Sequence, residues 1–192
     1  MKKMVLAVLI LFSLRSLSGQ EVFTDRRDGN TYRTVTINNK TWMAENLRFR
    51  TKSGSVYYDN DQNNGLEYGL LYDWKTAKSV CPAGWHLPSG EEFRELSDHF
   101  QHNESWRKQN GDTLSFNIQL GGFQDHEGTF SEMNESAYYW SSTEYDKQSA
   151  EYFSYLIIDN MIVTDISRKA DIDDIPGTDK RDKYSVRCVK NQ

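Results

Sequence analysis

The sequence predicts an α+β domain, and three observations carry the prediction. Two stretches of helical periodicity sit in the first half of the chain, strand signals flank them at both ends, and Cys81 and Cys188 stand far apart. Ends that pair with one another account for a bridge running from mid-chain to the last strand.

Residues 1–19 have the pattern of a secretory signal peptide, with Lys2 and Lys3, an apolar run from Met4 to Leu14, and a small polar stretch through Gly19. That run is too short for a bilayer, which needs about 20 apolar residues. Residues 20–192 then read as a single exported domain without a transmembrane segment, bound for the periplasm, cell surface or medium. In an oxidising compartment the two cysteines read as one disulfide, worth on the order of 4.7 kcal/mol by loop entropy alone.

Asp28-Gly29-Asn30 signals a turn, and Val35 and Ile37 alternate with Thr34 and Thr36 in a strand over Tyr32–Ile37. Asn38-Asn39 offers a tight turn into a returning strand at Lys40-Thr41-Trp42-Met43. Arg48 to Gly65 reads as a long polar loop with a short strand at Val56-Tyr57-Tyr58. Leu70, Trp74 and Ala77 predict a first helix over Leu70–Val80, ended by Pro82. Ser89 and Glu92 have the spacing of a capping box, and Phe93, Leu96 and Phe100 give the second helix one apolar stripe. Strands follow at Phe116, Ile118 and Leu120, broken by Gly121-Gly122, then at Tyr138–Thr143. Tyr152–Ile158 and Met161–Ile166 flank a turn at Asp159-Asn160, and Tyr184–Lys190 supplies the final strand.

Without Lys2, Lys3 and Arg15 the 23 basic residues fall to 20 against 28 acidic ones, a net charge of −8. Such a balance argues against nucleic acid as a partner. Eleven Tyr and five Trp in so polar a chain supply large side chains suited both to a core and to a contact surface.

Five stretches carry a resemblance: Trp42-Met43-Ala44-Glu45-Asn46-Leu47-Arg48, Gly69-Leu70-Leu71-Tyr72-Asp73-Trp74, Cys81-Pro82-Ala83-Gly84-Trp85-His86-Leu87-Pro88, Trp140-Ser141-Ser142-Thr143-Glu144 and Ser185-Val186-Arg187-Cys188-Val189-Lys190. In order and spacing they resemble the Fibrobacter succinogenes major paralogous domain, a family of secreted or surface-attached bacterial proteins with no activity to carry over. More distantly, the layout is similar to the formylglycine-generating enzyme group. The resemblance implies a C-type lectin-like domain: two helices, a small, mainly antiparallel twisted sheet joining the termini, and a long loop region.

Candidate chemistry is sparse. The two cysteines stand where the family's structural bridge falls, leaving no thiol for oxidase chemistry, and no Glu-Pro-Asn or Gln-Pro-Asp triplet offers calcium to a sugar. Asp59, Asp61 and Asn63 imitate an EF-hand, but Asn64 and Leu70 occupy the positions that need Gly and Glu. With Asp171, Asp173, Asp174 and Asp179 they are the calcium candidates. His99 and His102 lie three apart and suit a helix end as well as zinc. His86 reads as a packed residue whose ring bonds backbone, and His126 as a loop residue. Ser141 and Ser142 lack a nucleophile elbow. Asn103-Glu104-Ser105 and Asn134-Glu135-Ser136 match a glycosylation sequon by chance.

The expected function is a non-enzymatic cell-envelope module that binds a glycan or surface protein through loops between Asp125 and Asp179. Asp125, Tyr138, Tyr145 and Tyr152 are its contact candidates. Two alternatives stay open: an enzyme of formylglycine-generating-like fold with divergent chemistry, and a purely structural surface module. No cofactor is expected, calcium being the one candidate. A thermal melt with and without chelator checks this: an unchanged midpoint is expected, and a large downward shift would establish a structural metal.

Overall fold

A computed structural model describes residues 21–102, 116–158, 161–166 and 178–192. Among them the chain is α+β, with three helices and two sheets where the sequence predicts two helices and one small sheet. The leader, the 159–160 turn, Asn103, Asp171, Asp173 and Asp174 lie outside the described residues.

Strands β1 (Val22–Thr24), β2 (Thr31–Ile37) and β3 (Lys40–Met43) open the fold. Asn38 and Asn39 both take positive φ, 48° and 62°, which turns β2 directly into β3 with Ile37 opposite Lys40. After β4 (Ser55–Val56) comes a helix that periodicity did not signal, α1 (Gln62–Tyr68). Its sequence is polar and carries a glycine, so tertiary contacts hold it. Asp61 accepts the Asn63 amide at 2.9 Å, and the Tyr57 ring lies where a Cβ on Gly65 would stand.

The helix predicted from Leu70 starts later, because Leu71–Asp73 is strand β5 and Asp73 caps α2 (Trp74–Val80) by accepting the Thr76 amide at 2.8 Å. After β6 (Trp85–His86) the capping box is present in full. Ser89 Oγ accepts the Glu92 amide, Glu92 accepts the Ser89 amide at 2.9 Å, and α3 (Gly90–His102) follows. Phe93, Leu96 and Phe100 point into the core as expected.

The remaining strands are β7 (Gly121–Gln124), β8 (Phe130–Met133), β9 (Ser136–Glu144), β10 (Ser149–Ile158), β11 (Met161–Ile166), β12 (Thr178–Asp179), β13 (Lys183–Ser185) and β14 (Val189–Lys190). The expected strand at Phe116–Leu120 and break at Gly121-Gly122 are reversed. Asn117 has φ 48° and the segment is irregular, while the glycines belong to β7. Gly122 also has positive φ, and a Cβ there would fall 2.2 Å from the Ser131 carbonyl, so close pairing with β8 requires glycine.

One sheet runs β1-β2-β3-β14-β6, the other β11-β10-β9-β7-β13-β5-β4, with β8 on β7 and β12 on β10. The predicted final strand is therefore split. Its first half, β13, belongs to the large sheet and its second, β14, to the small one, and Val186-Arg187-Cys188 crosses between them fully buried. Cys188 bonds Cys81 across 107 residues with Cα atoms 5.9 Å apart.

Arg187 points between the sheets. Its guanidinium donates to the carbonyls of Phe116 (2.6 Å) and Asn117 (2.7 Å) and to Asn46 Oδ1 (2.7 Å), and lies over the Phe116 ring at 4.6 Å. No carboxylate among the described residues bonds it. Burial lowers its pKa from the ordinary value, but an arginine stays protonated. Carbonyls that a strand ladder would have satisfied are satisfied by this side chain instead, which explains why residues 116–120 are irregular.

Two outcomes follow. Arg187→Leu removes the donor from the Asn46, Met43, Phe116 and Asn117 oxygens, and urea denaturation should show a loss of roughly 3–5 kcal/mol. For Glu92, burial opposes the charge, but the Ser89 amide, His86 and Lys40 together hold its carboxyl below the ordinary 4.5. Its stabilisation is therefore complete above that value and lost as pH falls through the folded one. Glu92→Gln should cost about 0.5–1 kcal/mol near neutrality and progressively less as pH falls below 4.5, as measured by denaturation across that range.

Candidate functional site

Alternation along β9 sends Tyr139 to one face and Tyr138 and Trp140 to the other. Tyr139 packs against Phe93 and Phe153 in the core beneath α3. On the opposite face Tyr152 of β10 stands across from Trp140, and Tyr184 of β13 stacks on the Trp140 indole at 4.6 Å. Phe123 of β7 closes on Tyr138 at 5.2 Å and on Tyr184 at 5.8 Å, with Tyr138 and Tyr152 5.9 Å apart. Trp140 and Tyr184 are buried, whereas Phe123, Tyr138 and Tyr152 are half-buried. Four strands thus present three rings at the surface over two in the core.

The rim is polar and fixed. Tyr138 donates its hydroxyl to Glu132 Oε2 at 2.6 Å, and burial, reinforced by that carboxylate, raises its pKa. Glu132 adopts φ 64°, a conformation that costs a non-glycine residue about 1–2 kcal/mol. On the β13 side Tyr184 shares a hydroxyl contact with Thr178.

Of the contact candidates, Tyr138 and Tyr152 meet on this face. Tyr145 lies half-buried in the turn between β9 and β10, and Asp125 in the turn after β7. Asp125 accepts the amides of Thr129 and Glu127, bonds that lower its pKa. Phe123, Glu132 and Tyr184 were not singled out from sequence. Tyr138-Tyr139-Trp140 carried the signal in its alternation, but the partners come from strands distant in the chain.

Of the calcium candidates, four lie among the described residues. Asp59 and Asn63 are exposed, Asp61 caps α1, and Asp179 binds Arg181, whose guanidinium pulls it down to about 2. Among the described residues no three His, Cys, Asp or Glu side chains are grouped to hold a metal.

A shallow cleft of about 290 Å³ lies beside the disulfide, with Lys78, Cys81, His86 and Ser142 on its walls. His86 does not bond backbone as expected. Nδ1 meets Asn191 Oδ1 at 2.8 Å and Nε2 meets both Glu92 oxygens at 3.2 Å, so its ring is anchored by side chains. Ser141 is buried, its Oγ accepting the Thr143 amide. His126 bonds Asp182 at 3.1 Å, and His99 lies edge-on to Phe100.

Among the described residues no helix is long and apolar enough to cross a membrane. No curated protein and no solved structure matches the chain. The profile of the Fibrobacter succinogenes major domain matches residues 35–190, a span that runs from β2 to β14 and includes the bridge, Arg187 and the aromatic face. On that match the chain belongs to the Fibrobacter succinogenes major domain family.

Proposed function

We propose that the protein is an exported, non-enzymatic binding module of the cell envelope and that its ligand is a glycan. The reading rests on the aromatic face: three half-buried rings, Phe123, Tyr138 and Tyr152, packed tilted or edge-on against a second layer and edged by carboxylate and hydroxyl groups. Rings of this kind cover the apolar faces of sugars, and a fixed polar rim bonds their hydroxyls without an ordering cost at binding. The glycosylation-like, zinc and serine-nucleophile patterns of the sequence add nothing to this reading. We read the architecture as C-type lectin-like, on the pairing of the opening hairpin with the last strand and the bridge that ties that strand to the turn after α2.

Glycan and envelope-protein arrays test the proposal. Binding to a glycan is expected, and Tyr138→Ala or Tyr152→Ala should weaken it about tenfold with the fold retained by circular dichroism. Blank arrays, or variants that bind as the parent does, would overturn it; a response confined to protein spots would make the ligand a surface protein.

A further inference from the structure

A second surface lies at the β4 end of the large sheet, remote in strand order from β10. Three guanidiniums gather around one short segment there. Arg48 lies over the Tyr32 ring at 4.8 Å, Arg50 over Tyr57 at 4.5 Å, and Arg27 over Phe49, the residue between the two arginines, at 3.9 Å. Arg48 and Arg50 are two residues apart, so their Cα atoms lie within about 7 Å of each other.

These cations are not consumed internally to the same degree. Arg27 chelates Asp25 and donates to the Val80 carbonyl. Arg48 uses one donor side-on, to the Thr31 carbonyl at 2.6 Å, and Arg50 has no carboxylate partner among the described residues. Asp28 accepts the Asn30 amide and side chain, and no ion pair joins it to these arginines. Stacking on a ring fixes the plane of a guanidinium while leaving its in-plane N–H groups free, so much of the rotamer entropy that binding would cost is already lost. In a chain of net acidic charge, Arg48 and Arg50, held in place with no carboxylate bonded to them among the described residues, are oriented for an external anion.

We infer that Arg48 and Arg50, flanked by Arg27, form a docking strip for an acidic polysaccharide whose carboxylates pair with the guanidinium forks. Charge complementarity selects the anion. The large apolar side chains exposed among the described residues are Val22 and Leu66, neither of them in the strip, so a bilayer surface finds no anchor in it. The strip is independent of the aromatic face and does not require that reading to hold.

Polygalacturonate is the probe, in affinity electrophoresis and titration calorimetry of the full chain at low and high salt. The parent should be retarded at low salt and released as salt rises. Arg50→Gln and the double variant R48Q/R50Q should bind progressively more weakly, the double about tenfold or more below the parent. Arg50→Lys, which keeps the charge and loses the planar fork, should recover only part of the affinity. Thermal melts of each variant separate loss of the strip from loss of the fold, and Arg50→Gln removes no described hydrogen bond. No binding by the parent, equal binding by a folded double variant, or capture by phosphatidylglycerol vesicles with none by polygalacturonate would each overturn the inference. Tyr138→Ala should bind polygalacturonate as the parent does, so failure of the aromatic-face reading leaves this result intact.

Discussion

The buried guanidinium of Arg187 is the constraint on which most of the architecture depends. A charge that no described carboxylate neutralises survives in the core only when neutral oxygens surround it, and here they come from two separate segments of the chain, the one after β3 and the one before β7. Asn46 closes the network from the other side, donating to the Tyr68 carbonyl and to Ser185 while its own oxygen takes the Arg187 bond. The segment after β3, the segment before β7 and the crossover from β13 to β14 therefore have one mutually compatible arrangement. Apolar packing alone would tolerate several.

The crossover also explains how two sheets share one domain. β14 inserts between β3 and β6, so the opening hairpin, the turn after α2 and the last strand are joined by ladder bonds and the disulfide together. Consecutive residues of the crossover serve different cores: Val186 and Cys188 join the cluster of Tyr72 and Trp140, while Arg187 faces Phe116 and Tyr139 of the other. β9 repeats that division in its alternating aromatics. Its inner ring, Tyr139, packs under α3, while on the other side Trp140 joins the second core and Tyr138 reaches the surface.

Local chemistry was legible in the sequence wherever residues near in the chain determine the outcome. The Asn38-Asn39 turn, the Ser89–Glu92 box and the stripe on α3 are all of this kind. Errors arose where a distant partner overrides local preference. α1 has a polar sequence and depends on Tyr57 against Gly65; Phe116-Asn117-Ile118 alternates like a strand but gives its carbonyls to Arg187. The candidate site was half legible for the same reason. Tyr138 and Tyr152 could be named as surface aromatics, but Phe123 and Tyr184 join them only through strand order, and Glu132 only through a backbone conformation that composition does not reveal.

The 107-residue reach of the bridge has a bearing on how the chain is made. At a synthesis rate of roughly 5–20 residues per second, Cys81 emerges about 5–20 s before the partner that will oxidise with it. During that interval β3 and β6 lack the strand that belongs between them, and the Phe116 and Asn117 carbonyls lack their guanidinium. Until the last strand is made, neither the ladder between β3 and β6 nor the bridge can form, so both depend on residues at the far end of the chain.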